Sequence, residues 1–130
     1  MDRAQLTAWV AAYERAWRTA GTGTLASLFS ADAVYRPAPF SEPIRGLAAI
    51  ARMWEAERES PEEAFAMQAD VVAVEGDTGV VAVEVRYGGP HRLYRDLWVV
   101  RLDETDRCRH FEEWPFWPPG TSGRIAAEPR

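Results

Sequence analysis

The period of the apolar residues changes once along this chain, and that change limits the fold more than any other feature. Before Ser60-Pro61 the apolar positions recur at three- and four-residue steps. Leu6, Trp9, Val10, Tyr13 and Trp17 make one stripe of an amphipathic helix, with Asp2 placed to cap it and Gly21 and Gly23 to stop it. A short second helix carries Leu25, Leu28 and Phe29, and Ala33 to Tyr35 follows as a brief strand. Beyond the proline-rich turn from Pro37 to Pro43, a third helix after Gly46 holds Leu47, Ile50, Met53 and Trp54 on one side. After Pro61 the pattern alternates. Phe65 to Val74, Val80 to Tyr87, Leu93 to Leu102 and Arg107 to Phe116 are four strand candidates separated by turn residues. Helices followed by a meander predict an α+β fold, a cone-shaped roll of curved, mainly antiparallel sheet wrapped around three N-terminal helices.

At 130 residues the chain has the length of one domain, expected over 1–117, with a loosely ordered tail over 118–130. The charge balance narrows the functions. Every one of the 15 basic residues is Arg, so a Schiff-base or P-loop lysine is excluded. The net charge is −5 and no basic block exists, which argues against nucleic acid as a partner. Cys108 stands alone, so no intramolecular disulfide forms. His91 and His110 have no companions at metal-ligand spacing, and no metal site is expected. Met1 to Leu6 does not resemble a signal peptide and no run reaches membrane length, so a cytoplasmic protein is expected, without membrane partners.

Leu28-Phe29-Ser30-Ala31-Asp32-Ala33-Val34-Tyr35, then Ser41-Glu42-Pro43, then Gly46 with Ala49-Ile50, resembles the ketosteroid isomerase and SnoaL-like polyketide cyclase families of the nuclear transport factor 2-like superfamily. Arg101-Leu102-Asp103 with Arg107-Cys108 resembles the turn between the last two strands of those proteins. The resemblance covers roughly residues 5 to 117 and implies the cone fold with one apolar pocket. It does not name a chemistry, because this fold hosts isomerases, cyclases, dehydratases, epoxide hydrolases and non-catalytic members.

Position by position, the resemblance puts Tyr13 where the isomerases keep the tyrosine that hydrogen-bonds a developing oxyanion. Their general base falls on Pro37 and their second, acidic donor on Trp98, so ketosteroid isomerase chemistry is not expected. The resemblance also turns Trp98 toward the cavity. By alternation Asp96 and Val100 follow it, as do Val81, Val83 and Val85 on the preceding strand. Glu84 and Arg86 then face outward as a surface ion pair, and their order reverses the Arg-x-Asp of the epoxide hydrolase branch.

On the last strand, Arg109, Phe111 and Glu113 share one face, and Cys108, His110, Glu112 and Trp114 the other. Glu113 stands where cyclase-like and epoxide hydrolase-like members keep a last-strand base. Two readings stay open for it: a desolvated base, or an ion-pair partner of Arg109. Asp96, between Leu93 and Leu97, is either paired with Arg95 or Arg109, or free in a cavity. Tyr13, Asp96 and Glu113 are thus the candidate catalytic groups. Trp17, Tyr35, Phe40, Met53, Trp54, Trp98, Arg109 and Phe111 are the candidate ligand-binding residues. His91 is expected exposed in a turn, and His110 outward on its strand.

The expected activity is cofactor-free acid–base chemistry, an isomerase, cyclase or hydrolase acting on a small apolar or aromatic molecule. The alternative is a non-catalytic ligand-binding or dimerisation module that has lost the family carboxylates. A homodimer through the outer sheet face is expected in either case.

Overall fold

The computed structural model describes residues 1–57, 65–87 and 93–119. Three helices, α1 (Arg3–Trp17), α2 (Leu25–Leu28) and α3 (Leu47–Glu57), precede most of the sheet. Asp2 begins α1 with a reciprocal cap: its Oδ1 accepts from Gln5 N at 2.8 Å, and Gln5 Oε1 accepts from Asp2 N at 2.7 Å. No helix among the described residues is long and apolar enough to cross a membrane.

The strands are β1 (Phe29–Arg36), β2 (Ile44–Arg45), β3 (Phe65–Glu75), β4 (Thr78–Tyr87), β5 (Leu93–Leu102) and β6 (Cys108–Phe116). They form one sheet in the order β2-β1-β6-β5-β4-β3. All neighbours are antiparallel except β1 and β6, which run parallel. The third-helix and strand boundaries expected from periodicity agree with these to within a few residues. Phe29 belongs to β1 rather than to the second helix, and β2 had no periodic signal because it is two residues long.

The helices cover the concave face. Leu6, Trp9, Val10 and Tyr13 of α1, with Ile50 and Trp54 of α3, pack onto Val81, Val83, Trp98, Val100 and Phe111. The expected inward valines of β4 are all buried. Gly79 lets α1 approach the sheet, since a Cβ there would collide with Cδ2 of the fully buried Leu6.

Two bulges reset the alternation. In β3 the pairing passes from Val71↔Val81 to Ala73↔Val80, leaving Val72 unpaired and exposed. Between β5 and β6 it passes from Arg101↔His110 to Leu102↔Cys108, so Arg109 is the extra residue. Its side chain is therefore directed outward to Asp77, and Cys108 turns inward and is fully buried. This corrects the parity expected for the start of β6. Arg109 does not share the face of Phe111 and Glu113, and Cys108 does not belong to the outer face. The glycine-rich turn with His91, and residues 120–130 of the tail, lie outside the described residues.

Candidate active site

At the open end of the cone a cavity of about 530 Å³ lies between α1, α3 and the sheet. Tyr13 and Trp17 enter from α1, Met53 from α3, Tyr35 from β1, Trp98 from β5 and Glu113 from β6. The register explains the last two, because Trp98 and Glu113 are direct cross-strand partners on the concave face.

The polar centre is a relay of three side chains. Tyr35 Oη donates to Glu113 Oε2 at 2.7 Å, and Tyr13 Oη lies 3.3 Å from Tyr35 Oη. A phenol has one proton. With Tyr35's committed to Glu113, Tyr13 is the donor in the second contact. At 3.3 Å that bond is long for O–H···O, so the Tyr13 hydroxyl can turn to another acceptor at little cost. Tyr13 therefore reaches the sheet through Tyr35, not by a direct bond to Asp96 or Glu113. Both phenols are held well above their ordinary pKa, first by burial and then by the negative charge of Glu113.

Asp96 sits behind Glu113 rather than in the cavity wall. It is 3% exposed, and Trp98 Nε1 donates to its Oδ2 at 3.1 Å. Its Oδ1 has no donor partner, yet the carboxyl stands within hydrogen-bonding reach of Glu113. Burial, then the charge of Glu113, then the hydrogen bond between them push the Asp96 pKa to about 10. Near neutral pH Asp96 is therefore the protonated member of the pair.

No arginine neutralises this pair among the described contacts. Arg95 bonds Glu84 at 3.1 Å on the outer face, and Arg109 pairs with Asp77 at the surface. Glu84 thus pairs across strands with Arg95 rather than along its own strand with Arg86.

Four of the expected ligand-binding residues do not reach the cavity. Phe40 is fully exposed on the proline-rich turn. Arg109 is turned outward by the bulge. Phe111 forms the floor beneath the lining, stacked on Tyr13 at 5.5 Å and 20° and 4.8 Å from Tyr35. Trp54 is likewise buried behind Tyr13 and Trp17, at 5.1 and 4.8 Å. Their large rings fill the core instead, as apolar stripes normally do.

The periodic reading missed Phe65, Tyr87, Tyr94 and Trp117, which complete the aromatic wall. Tyr94 has the parity of Asp96 and Trp98, and Tyr87 that of Val85, so alternation alone carried the signal for both. Trp117 Nε1 is buried without a partner, a donor left open beside the cavity.

The profile of the SnoaL-like domain matches residues 10–111 of the chain. No curated protein sequence matches it significantly. Among solved structures, SalBIII, an epoxide hydrolase/cyclase-like enzyme of pyran ring formation in the polyether salinomycin, superposes with a TM-score of 0.69 at 15% identity, over 88% of this chain and 93% of that one. A candidate polyketide cyclase from Sinorhizobium meliloti gives 0.65 at 22% identity, over 81% and 92%. A candidate isomerase of the SnoaL-like family from Agrobacterium tumefaciens gives 0.70 at 17% identity, over 87% and 98%. At these identities the structural likeness carries the fold alone.

Proposed function

Because the chain belongs to the SnoaL-like domain family, we propose that its cavity performs cofactor-independent proton transfer on a small, largely apolar, oxygen-bearing molecule, as an isomerase, cyclase or epoxide hydrolase. The observation that carries this reading is Glu113 at the base of an aromatic cavity, held by Tyr35 Oη at 2.7 Å with the buried Asp96 carboxyl behind it, and with no arginine among the described contacts clamping either acid. Structural carboxylates at such depth are ordinarily ion-paired. Two neighbouring carboxyl groups whose surroundings differ in this way suit acid–base work.

Glu113, which lines the cavity, takes the proton, from a carbon next to a carbonyl or from the nucleophile that opens an epoxide. Tyr13 donates to the substrate oxygen where negative charge grows. Tyr35, which donates to Glu113, and the protonated Asp96 behind it are positioning residues. Asp96 in turn is oriented by Trp98 Nε1. A neutral Asp96 avoids a second buried charge beside Glu113.

A second reading, sequestration without turnover, is favoured by Pro37 and Trp98. Both line the cavity at positions where the isomerases resembled by this sequence keep carboxylates.

The test is a panel of small aromatic ketones and epoxides incubated with the protein in D₂O or in ¹⁸O-labelled water. Deuterium at the α-carbon or labelled diol, lost by a factor of about 10²–10⁴ in Glu113→Gln, is the expected result. Wild-type rates in Glu113→Gln would remove the acid–base assignment, and an inert wild-type protein that still binds the panel would favour sequestration.

A further inference from the structure

The charge of the cavity wall points to the kind of ligand it takes. The charged residues among its described lining are Glu42 and Glu57 at the mouth and Glu113 at the base. No arginine or histidine is among them. Two nearby arginines among the described residues are engaged elsewhere: Arg18 bonds Glu14 Oε2 at 2.8 Å, and Arg36 donates to Ser41 O at 2.9 Å.

Between the acids, the wall is made of rings. Tyr13, Tyr35 and Trp98 surround the base; Trp17, Phe65, Tyr87, Tyr94 and Trp117 line the rest. Tyr13, Tyr35 and Tyr94 all resist ionisation, first because they are buried and also because Glu113 is near. The rings therefore stay neutral, with the electron-rich faces that attract cations. One cation already uses such a ring. The Arg18 guanidinium lies 3.9 Å from the centroid of Phe65, which lines the cavity.

An anionic ligand would meet three carboxylates and no counter-charge among the described lining. A neutral ligand would bury its apolar surface but gain no attraction from the carboxylates. An organic cation satisfies both the rings and the acids. We propose that the cavity selects a small organic cation, a protonated or quaternary amine carried on an apolar or aromatic body, with the charge held between the rings and the Glu113 side of the site. This rests on the cavity being the ligand site, as in the function proposed above, but does not require that any proton be transferred.

The experiment measures binding to the full chain by its intrinsic fluorescence, since Trp17, Trp98 and Trp117 line the cavity. The probes are (4-hydroxyphenyl)trimethylammonium, its neutral isostere 4-tert-butylphenol, and 4-hydroxybenzoate as the anion. The cation should bind roughly tenfold or more tightly than the isostere, as a desolvated cation–π site implies, and the anion most weakly. In Glu113→Gln, shown folded by circular dichroism, the ratio of cation to isostere should fall severalfold. The wild-type comparison stands even if that variant does not fold. A cation that fails to bind, or an isostere that binds equally well, would overturn the proposal. A retained cation preference with no turnover on any panel would instead sink the acid–base reading alone. Turnover on neutral substrates without cation preference would sink only this one.

Discussion

Tyr35 and Glu113, 78 positions apart in sequence, meet at 2.7 Å because β1 and β6 run parallel side by side. That pairing joins the N-terminal half of the cone to its last strand at the base of the cavity. Glu113 is thereby held by a short, charge-assisted bond rather than by a salt bridge. Removing the donor with Tyr35→Phe should cost about 1.5–3 kcal/mol of stability, the range for a hydrogen bond to a charged group. Urea unfolding measures it, and a loss under about half a kcal/mol would mean that the bond is not kept in solution.

Tyr13→Phe addresses the same relay from its free end. Its 3.3 Å bond to Tyr35 is weak, so the variant should fold with little loss of stability. Ligand binding or turnover should weaken by about 0.5–1.5 kcal/mol if Tyr13 gives the substrate one ordinary hydrogen bond. A larger loss in kcat than in binding would assign it to the transition state. Unchanged kinetics would remove it from the site.

Asp96 gives the stability a dependence on pH with a definite sign. Its pKa is about 10 in the folded chain against an ordinary 3.8. Between those values the folded chain keeps a proton that the unfolded chain has released. The stability contributed by Asp96 is thus complete below pH 3.8 and is lost progressively as pH rises toward 10. Asp96→Asn imitates the protonated acid without titrating. Melting temperatures from pH 5 to 9 should therefore show the variant gaining on the wild type as pH rises. A difference that stays flat across that range would mean that Asp96 is not held protonated.

Ile50 faces the core from α3 and is 0% exposed. Ile50→Ala should destabilise by about 2–5 kcal/mol, through lost burial and the cavity left behind. A change of under half a kcal/mol in denaturant unfolding would contradict the packing of α3 on the sheet.

We propose that the outer sheet face carries a second copy of the chain. Leu97 and Trp114, cross-strand neighbours, are 39% and 41% exposed, and Phe116 two residues on is 53% exposed. Beside them Glu112 accepts from both His110 Nε2 and Trp114 Nε1, so its charge is already satisfied and does not oppose a partner. Light scattering at micromolar concentration should give a dimer, reduced to monomer by Trp114→Glu. A wild-type monomer would discard the interface.

The residues that were legible in the sequence are those whose surroundings obey a period. The α1 stripe, the inward valines of β4 and the placement of Asp96 beside Trp98 all follow from steps of 3.6 or 2. Arg109 and Cys108 were misplaced because a bulge consumes one residue without leaving a mark in the alternation. Phe40 was misplaced because a turn has no period at all. The Tyr35–Glu113 bond was beyond reach for another reason. It depends on which strands become neighbours, and the parallel β1–β6 pairing is a property of the whole chain rather than of either segment.

That parallel pairing also bears on how the protein is made. β6 lies in the interior of the sheet, between β1 and β5, although it follows the other described strands in the sequence. Until residues 108–116 have left the ribosome, β1 has only the two-residue β2 beside it, and the tryptophan-rich face of α1 has an incomplete sheet to cover it. The nascent chain thus carries this apolar surface uncovered until β6 emerges, and truncations that remove β6 should be insoluble clients of chaperones rather than smaller folded domains.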